Sequence, residues 1–274
     1  MESAKGQKRL AILGCGNMGR ALGLGMIQVE NLGLFTFSPS GTRAKELAQD
    51  ISGTFISNLS ELPPSDYYLI ACKPFQFPTL AEELKGTLPK ESVVISVMAG
   101  LTTQKIQEEL DHLRVIRCMP NTPVMVGEGV CALFFPAEIE EKERPFIKGL
   151  FEKNSKVYTF LKEEEIDILT AFAGSGPGFL FEVANQLEKQ LLSYKIEGLN
   201  VRELIAQIFW GSSKLMIESS STTFEELRNQ VTSKGGTTEA GLKVLWEFNL
   251  ENILRETTVK AIEKAKILSR GKEG

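Results

Sequence analysis

The chain predicts an α/β fold: a parallel, doubly wound sheet over residues 1–162 followed by an all-helical domain over residues 163–274. Three observations carry this expectation. Short apolar runs alternate with amphipathic stretches through the first half, the first such run leads straight into a glycine-rich turn, and after Glu163 the apolar residues fall at helical spacing with no β-rich run. A length of 274 residues suits two domains of ~100–200 residues each. A hydrophobic share of 42% with 24% charged residues is enough to bury a core without metals or disulfides.

The elements follow in chain order. Arg9–Leu13, Leu34–Phe37, Tyr67–Ala71, Val93–Val97, Val115–Cys118 and Val130–Phe135 are apolar runs of the kind that parallel sheets bury on both faces. Met18–Gln28 and Thr102–Leu110 between them are amphipathic at helical period. Beyond Glu163 the helical positions are Ile168, Leu169 and Phe172, then Leu180, Val183, Leu187 and Leu191, then Leu204, Ile205, Ile208 and Phe209, then Leu242, Leu245 and Trp246. Breaks are expected at Gly174–Gly178, Lys195–Asn200, Ser219–Thr223 and Thr232–Thr238. Ile205, Ile208, Phe209, Leu215 and Met216 exceed what one helix face needs, which predicts a homodimer that buries the excess.

Composition excludes several classes. A net charge of −4 speaks against a general nucleic-acid surface. No run of ~18 apolar residues suggests a membrane span, and Met1–Lys8 has no apolar signal core, so a cytoplasmic location is expected. Cys15, Cys72, Cys118 and Cys131 are widely spaced with no C-x-x-C pair, and His112 is the single histidine. Buried thiols in a reducing cytosol are expected, and no metal site. A mechanism that needs a histidine base would have to use His112.

The strand ending at Leu13 runs into Gly14-Cys15-Gly16-Asn17-Met18-Gly19, followed by a helical pattern. The first glycine permits the turn, the second lets the backbone approach a pyrophosphate, and the third allows close helix–strand contact, with the phosphates at the positive helix end. About 20 residues further on, NAD enzymes place an acid for the ribose 2′-OH. Here Phe37-Ser38-Pro39-Ser40-Gly41-Thr42-Arg43 offers the hydroxyls of Ser38 and Ser40 and the charge of Arg43, which accept a 2′-phosphate and favour NADPH over NADH. Ala71-Cys72-Lys73-Pro74 and Val97-Met98-Ala99-Gly100 leave later strands at their carboxyl ends, where a ligand on such a sheet lies.

The helical half holds the run Val231-Thr232-Ser233-Lys234-Gly235-Gly236-Thr237-Thr238-Glu239-Ala240-Gly241-Leu242. Two glycines and several hydroxyls ahead of a helix supply backbone amides and side-chain donors, a carboxylate-binding arrangement beyond what one N-cap needs. At this run the chain resembles the pyrroline-5-carboxylate reductase family. The likeness extends over the Gly14–Gly19 loop, Ala71-Cys72-Lys73-Pro74, Arg117-Cys118-Met119-Pro120-Asn121-Thr122-Pro123 and Gly174-Ser175-Gly176-Pro177, nearly the whole length.

The resemblance implies a Rossmann-like NADP-binding domain and a helical domain that interlocks with a second subunit, often in rings of dimers. It implies NAD(P)H-dependent reduction of 1-pyrroline-5-carboxylate to L-proline, the last step of proline biosynthesis, and adds Asn58 to the cofactor-binding residues. The substrate carboxylate would meet Ser233, Gly235, Gly236, Thr237 and Thr238, with the Gly236 and Thr237 amides on the anion. Val231 would pack on the ring, and Thr238 would be the catalytic donor beside the imine nitrogen. An imine is protonated readily, so the protein need only orient the ring and anchor its carboxylate. Lys234 stands where the family usually has proline, Gly178-Phe179 where Ala-Tyr is usual, Ser221 in place of a glutamate and Trp246 in place of a polar residue.

Three other readings compete. A 3-hydroxyacid dehydrogenase carries a lysine four residues after the last glycine of a glycine-rich helix start; counted from Gly176 that position is Leu180, which transfers no proton. A non-catalytic nucleotide-binding regulator of the same fold has no need of the Ser233–Thr238 run. A reductase of a related cyclic imine acid, such as the six-membered piperideine acid, stays open.

Overall fold

The computed structural model describes residues 6–270. β1 (Lys8–Leu13) lies inside the sheet, its Leu10-Ala11-Ile12-Leu13 stretch fully buried because it carries no polar side chain. Around it run β2 (Leu32–Phe37), β3 (Thr54–Phe55), β4 (Tyr67–Ile70), β5 (Val93–Ser96), β6 (Val115–Pro120), β7 (Gly129–Phe134) and β8 (Ser155–Phe160), in the order β3-β2-β1-β4-β5-β6-β7-β8. Alternate residues of each strand feed opposite faces. Leu10, Ile12, Leu69 and Ile95 pack against Leu22 and Met26 of α1 (Asn17–Met26) and Ile147, Leu150 and Phe151 of α5 (Arg144–Glu152). Ala11, Leu13, Ile70 and Val94 pack against Phe77, Leu80 and Leu84 of α3 (Phe77–Leu84) and Ile106 and Leu110 of α4 (Thr103–Leu110). α2 (Thr42–Asp50) adds Ala44 and Leu47 to the first of these faces. Both faces are covered, so the sheet is doubly wound, as the alternation of runs predicts.

Two features depart from that expectation. β6 and β7 are antiparallel. Residues 121–128 between them, including a short 3₁₀ turn, are too few for a crossover to a parallel partner. α5 supplies that crossover for β8, which is therefore parallel to β7. β3 and β8 were not among the expected strands. β3 has two residues, and β8 is an edge strand with no buried residue, its half-buried and exposed positions interleaved rather than forming an apolar run.

The chain divides into two compact units, one running through Pro177 and resuming at Ala261, the other Gly178–Lys260. The helical part comprises α6 (Glu164–Leu169), α7 (Gly176–Ser193), α8 (Val201–Glu218), α9 (Phe224–Gln230), α10 (Thr237–Glu247) and α11 (Leu250–Arg270). Three of the expected breaks are loops. The fourth, Gly174–Gly178, is not: residues Thr170–Gly174 form one π-helical turn that leads into α7. Its glycines keep negative φ, so nothing in the backbone ends the helix there. A break between α10 and α11 falls at Asn249, whose φ is +54°.

His112 is buried at the amino edge of the sheet, its Nε2 2.9 Å from the Ser92 carbonyl oxygen and remote from the strand carboxyl ends. Burial lowers its pKa below 6.5, and the neighbouring Arg114 charge acts the same way against the Ser92 hydrogen bond. The folded state thus binds the proton less readily than the unfolded chain. Stability is full above the unfolded value of about 6.5 and is lost as pH falls below it. The melting temperature is expected to drop from pH 7 to pH 5, and His112→Gln to show a shallower decline.

Candidate active site

The glycine loop joins β1 to α1 at the carboxyl edge of the sheet. The Gly14 amide donates to Phe37 O at 2.8 Å, and Ala71 N donates to Leu13 O at 2.8 Å, so three strand ends hold the loop. Gly14 has φ +107°, and a Cβ there would lie 2.5 Å from Cys72 N. A Cβ on Gly19 would lie 2.0 Å from Gly14 O, whereas one on Gly16 would meet nothing within 4 Å. Gly14 and Gly19 are therefore glycine for packing, and Gly16 faces open space where a phosphate can approach. Gly16 is the N-cap of α1 and makes no side-chain cap bond, which leaves the first amides of α1 to a ligand. Cys15 is buried inside the loop, its Sγ 3.5 Å from Phe37 O. Asn17 and Met18 open the helix.

At the end of β2 the Ser38 hydroxyl is buried with no hydrogen-bond partner among the described residues. A buried orphan hydroxyl is costly unless a ligand satisfies it. Ser40 is exposed, and Arg43 is exposed in the first turn of α2, whose N-cap Gly41 brings no side-chain bond. A hydroxyl, a guanidinium and the start of α2 lie in one segment, a set of donors whose chemistry fits the phosphorylated ribose of NADP. Asn58 is committed locally, accepting from Ser60 N at 3.1 Å.

Two further strand ends were expected at this edge. Ala71 and Cys72 follow β4, and Lys73-Pro74 opens a 3₁₀ turn (Pro74–Gln76) fixed by Lys73 N donating to Gln76 Oε1 at 3.0 Å. After β5, Val97 N donates to Ile70 O at 3.0 Å, Met98 is buried, Ala99 is exposed and Gly100 has φ +74°. The end of α11 backs this turn: a Cβ on Gly100 would lie 2.8 Å from Leu268 Cβ.

Beneath it is a charged cluster that sequence reading missed. Arg117 of β6, 4% exposed, reaches Asp167 Oδ1 at 2.6 Å and Glu163 Oε1 at 3.4 Å. Glu163 accepts from Thr103 N and Oγ1 at the start of α4, and Ser269 Oγ of α11 donates to Asp167 at 2.6 Å. The cluster ties β6, α4, α6 and α11 together. A lone arginine inside an apolar strand run was the available signal.

In the second unit, residues 231–236 form the turn ahead of α10. Gly235 has φ +75°, which favours glycine, while a Cβ on Gly236 would lie 2.4 Å from Ser233 Oγ, a hydroxyl that would have to turn away. Gly236 N donates to Ser233 O at 2.9 Å and is not available to an anion, contrary to the sequence expectation. The amides of Thr237 and Thr238 open α10 with no acceptor among the described residues. Gly235 N donates to Glu239 Oε2 at 2.8 Å, so one amide of the turn already binds a carboxylate. Val231 is 63% exposed, and Lys234 is exposed beside the glycines. The Trp246 ring lies 5.8 Å beneath the Arg228 guanidinium, which accounts for an aromatic residue there.

Burial pushes the Cys15 thiol up to about 12 and the Cys72 thiol up to about 11, so neither is a thiolate nucleophile near neutral pH. Among the described residues no group of three His, Cys, Asp or Glu side chains could hold a metal ion, and no helix is long and apolar enough to cross a membrane. What these residues can do is bind a dinucleotide at one edge of the sheet and a carboxylate at the glycine turn.

Comparison with known proteins finds matches in both halves. A family described as pyrroline-5-carboxylate reductase dimerisation matches residues 163–268, and one described as NADP oxidoreductase, coenzyme F420-dependent, matches residues 9–100. The chain is 32% identical to the pyrroline-5-carboxylate reductase of Staphylococcus aureus (strain COL) over 267 residues, 95% of this chain and 98% of that one. The solved pyrroline-5-carboxylate reductase of Coxiella burnetii is similar with a TM-score of 0.86 and 26% identity, covering 96% of this chain and 99% of that one. The Plasmodium falciparum pyrroline carboxylate reductase, solved with NADP bound, shares the fold with a TM-score of 0.81 and 24% identity, covering 97% and 100%.

Proposed function

The chain belongs to the pyrroline-5-carboxylate reductase family, and from that premise we propose that it reduces 1-pyrroline-5-carboxylate to L-proline with NADPH. The observation that carries the reading is the Ser233–Thr238 turn, whose Gly235 holds a left-handed φ and whose Thr237 and Thr238 amides await an acceptor. NADPH, when bound, supplies the hydride. Gly16 and the first amides of α1 hold the pyrophosphate, and Ser38, Ser40 and Arg43 hold the 2′-phosphate. Asn58, Ala71–Pro74 and Val97–Ala99 border the nucleotide. The Thr237 and Thr238 amides hold the substrate carboxylate, Val231 packs on the ring, and the Thr238 hydroxyl donates to the imine nitrogen or to the carboxylate. No strong acid is required, because an imine takes up a proton far more readily than a ketone.

Purified protein is tested by NADPH oxidation with the five-membered and then the six-membered imine acid. Rapid turnover of the first supports the assignment, and preference for the second moves it to a related cyclic imine. A protein that binds NADPH and turns over neither is a regulator of the same fold. Arg43→Ala is expected to raise the NADPH KM about 10-fold or more, the size of one charge-assisted contact. An unchanged KM removes Arg43 from the cofactor site.

We place the enzyme in the cytosol, as its unbridged cysteines suit, and as a homodimer that can build rings. The second unit exposes Phe181 at 65%, Trp210 at 62%, Ile217 at 77% and Phe248 at 74%, more large apolar side chain than a lone subunit leaves in water. Light scattering on dilute protein is expected to give at least twice 30.3 kDa. A stable, active monomer overturns this.

A further inference from the structure

We propose that Phe75 is the platform on which the adenine ring of the dinucleotide stacks, an assignment that rests on the nucleotide reading of the glycine loop. A cavity of about 330 Å³ opens at the carboxyl edge of the sheet, lined by Leu13, Gly14, Phe37, Pro39, Phe75 and Leu80 among others. That is the lower end of the ~300–1,000 Å³ range of small-molecule pockets, room for a base and not for a whole dinucleotide.

Its neighbours say which part of the nucleotide enters. Gly14 belongs to both the cavity wall and the phosphate loop, and Phe37 and Pro39 flank Ser38, whose buried hydroxyl lacks a partner. A nucleotide with its pyrophosphate at Gly16 and its 2′-phosphate at Ser38 carries its base into the space bounded by these residues.

Phe75 supplies what such a base needs. Its side chain is 80% exposed at the cavity wall. The backbone beneath it is rigid, since Pro74 starts the 3₁₀ turn and Lys73 N holds Gln76 Oε1 at 3.0 Å. With the backbone held, covering the ring orders only two side-chain torsions, and base–aromatic stacking accepts a flat heterocycle without reading its edge.

The test is calorimetric titration of the full chain with NADPH, with 2′,5′-ADP and with reduced nicotinamide mononucleotide. Phe75→Ala is expected to weaken NADPH and 2′,5′-ADP alike by about 10-fold or more, to leave the mononucleotide unchanged, and to melt with the parent because the ring is exposed. Phe75→Tyr is expected to bind as the parent does. An unchanged 2′,5′-ADP affinity in Phe75→Ala, or an equal loss for the mononucleotide, overturns the stacking role. If the parent protein binds neither NADPH nor 2′,5′-ADP, the nucleotide reading itself fails, and the stacking role with it.

Discussion

Replacing Thr238 by alanine is expected to lower kcat by about 10²–10³, the usual cost of removing one donor aimed at a developing charge. Thr238 sits at the second position of α10, where a hydroxyl could serve only the helix. In that case its loss would cost about 1 kcal/mol of stability and little activity. The structure removes that alternative. Gly236 is the N-cap, it has no side-chain cap bond, and the Thr238 hydroxyl has no partner among the described residues. Thr238→Ala is therefore expected to melt with the parent. Measuring kcat and melting temperature on the same preparation checks both halves, and a variant with lower Tm and parental turnover overturns the catalytic assignment.

The second large effect is on stability. Arg117→Met is expected to cost about 3–5 kcal/mol, because it leaves the Asp167 and Glu163 carboxylates without their counter-charge. Lysine is not a substitute: a single ammonium cannot reproduce the two-nitrogen fork that reaches both carboxylates. Adding Asp167→Asn to Arg117→Met removes one of the stranded charges and is expected to recover part of the loss. Chemical denaturation of the three variants decides it. A loss below about 1 kcal/mol, the level of an exposed ion pair, would mean that water reaches the cluster.

What was legible in the chain divides along physical lines. Buried parallel strands are legible because their interiors admit only apolar side chains, as Leu10–Leu13 and Val93–Ile95 show. The glycine loop is legible because Gly14 and Gly19 each meet backbone within 3 Å of a would-be Cβ. β8 is not, since an edge strand needs only partial burial and Ser155–Phe160 mixes Val157, Tyr158 and Phe160 with polar residues instead of forming an apolar run. The reversal at β7 comes from the length of a connection, which leaves no mark on the strand residues.

The candidate site divides in the same way. Ser38, Arg43 and the Ser233–Thr238 run stand out in the sequence because each lies in a local cluster of donors. Arg117 could not be paired, with partners 46, 50 and 152 positions away. Gly236 was misassigned because its amide serves a bond to Ser233, three residues back, that only the folded turn makes.

That Arg117 shares a cluster with Ser269 has a consequence for biosynthesis. The two residues are 152 positions apart. At about 5–20 residues per second a ribosome needs roughly 8–30 s to travel between them. Over the last 102 positions of that interval, from Asp167 onward, a nascent Rossmann unit holds its central arginine and both acids but lacks the hydroxyl and the helical turn that close over them. The half that is translated first is thus the half completed last. Ribosome-bound chains arrested before Ser269 are expected to be more open to protease around Val97–Gly100 than released ones, with the segment becoming resistant only when α11 emerges.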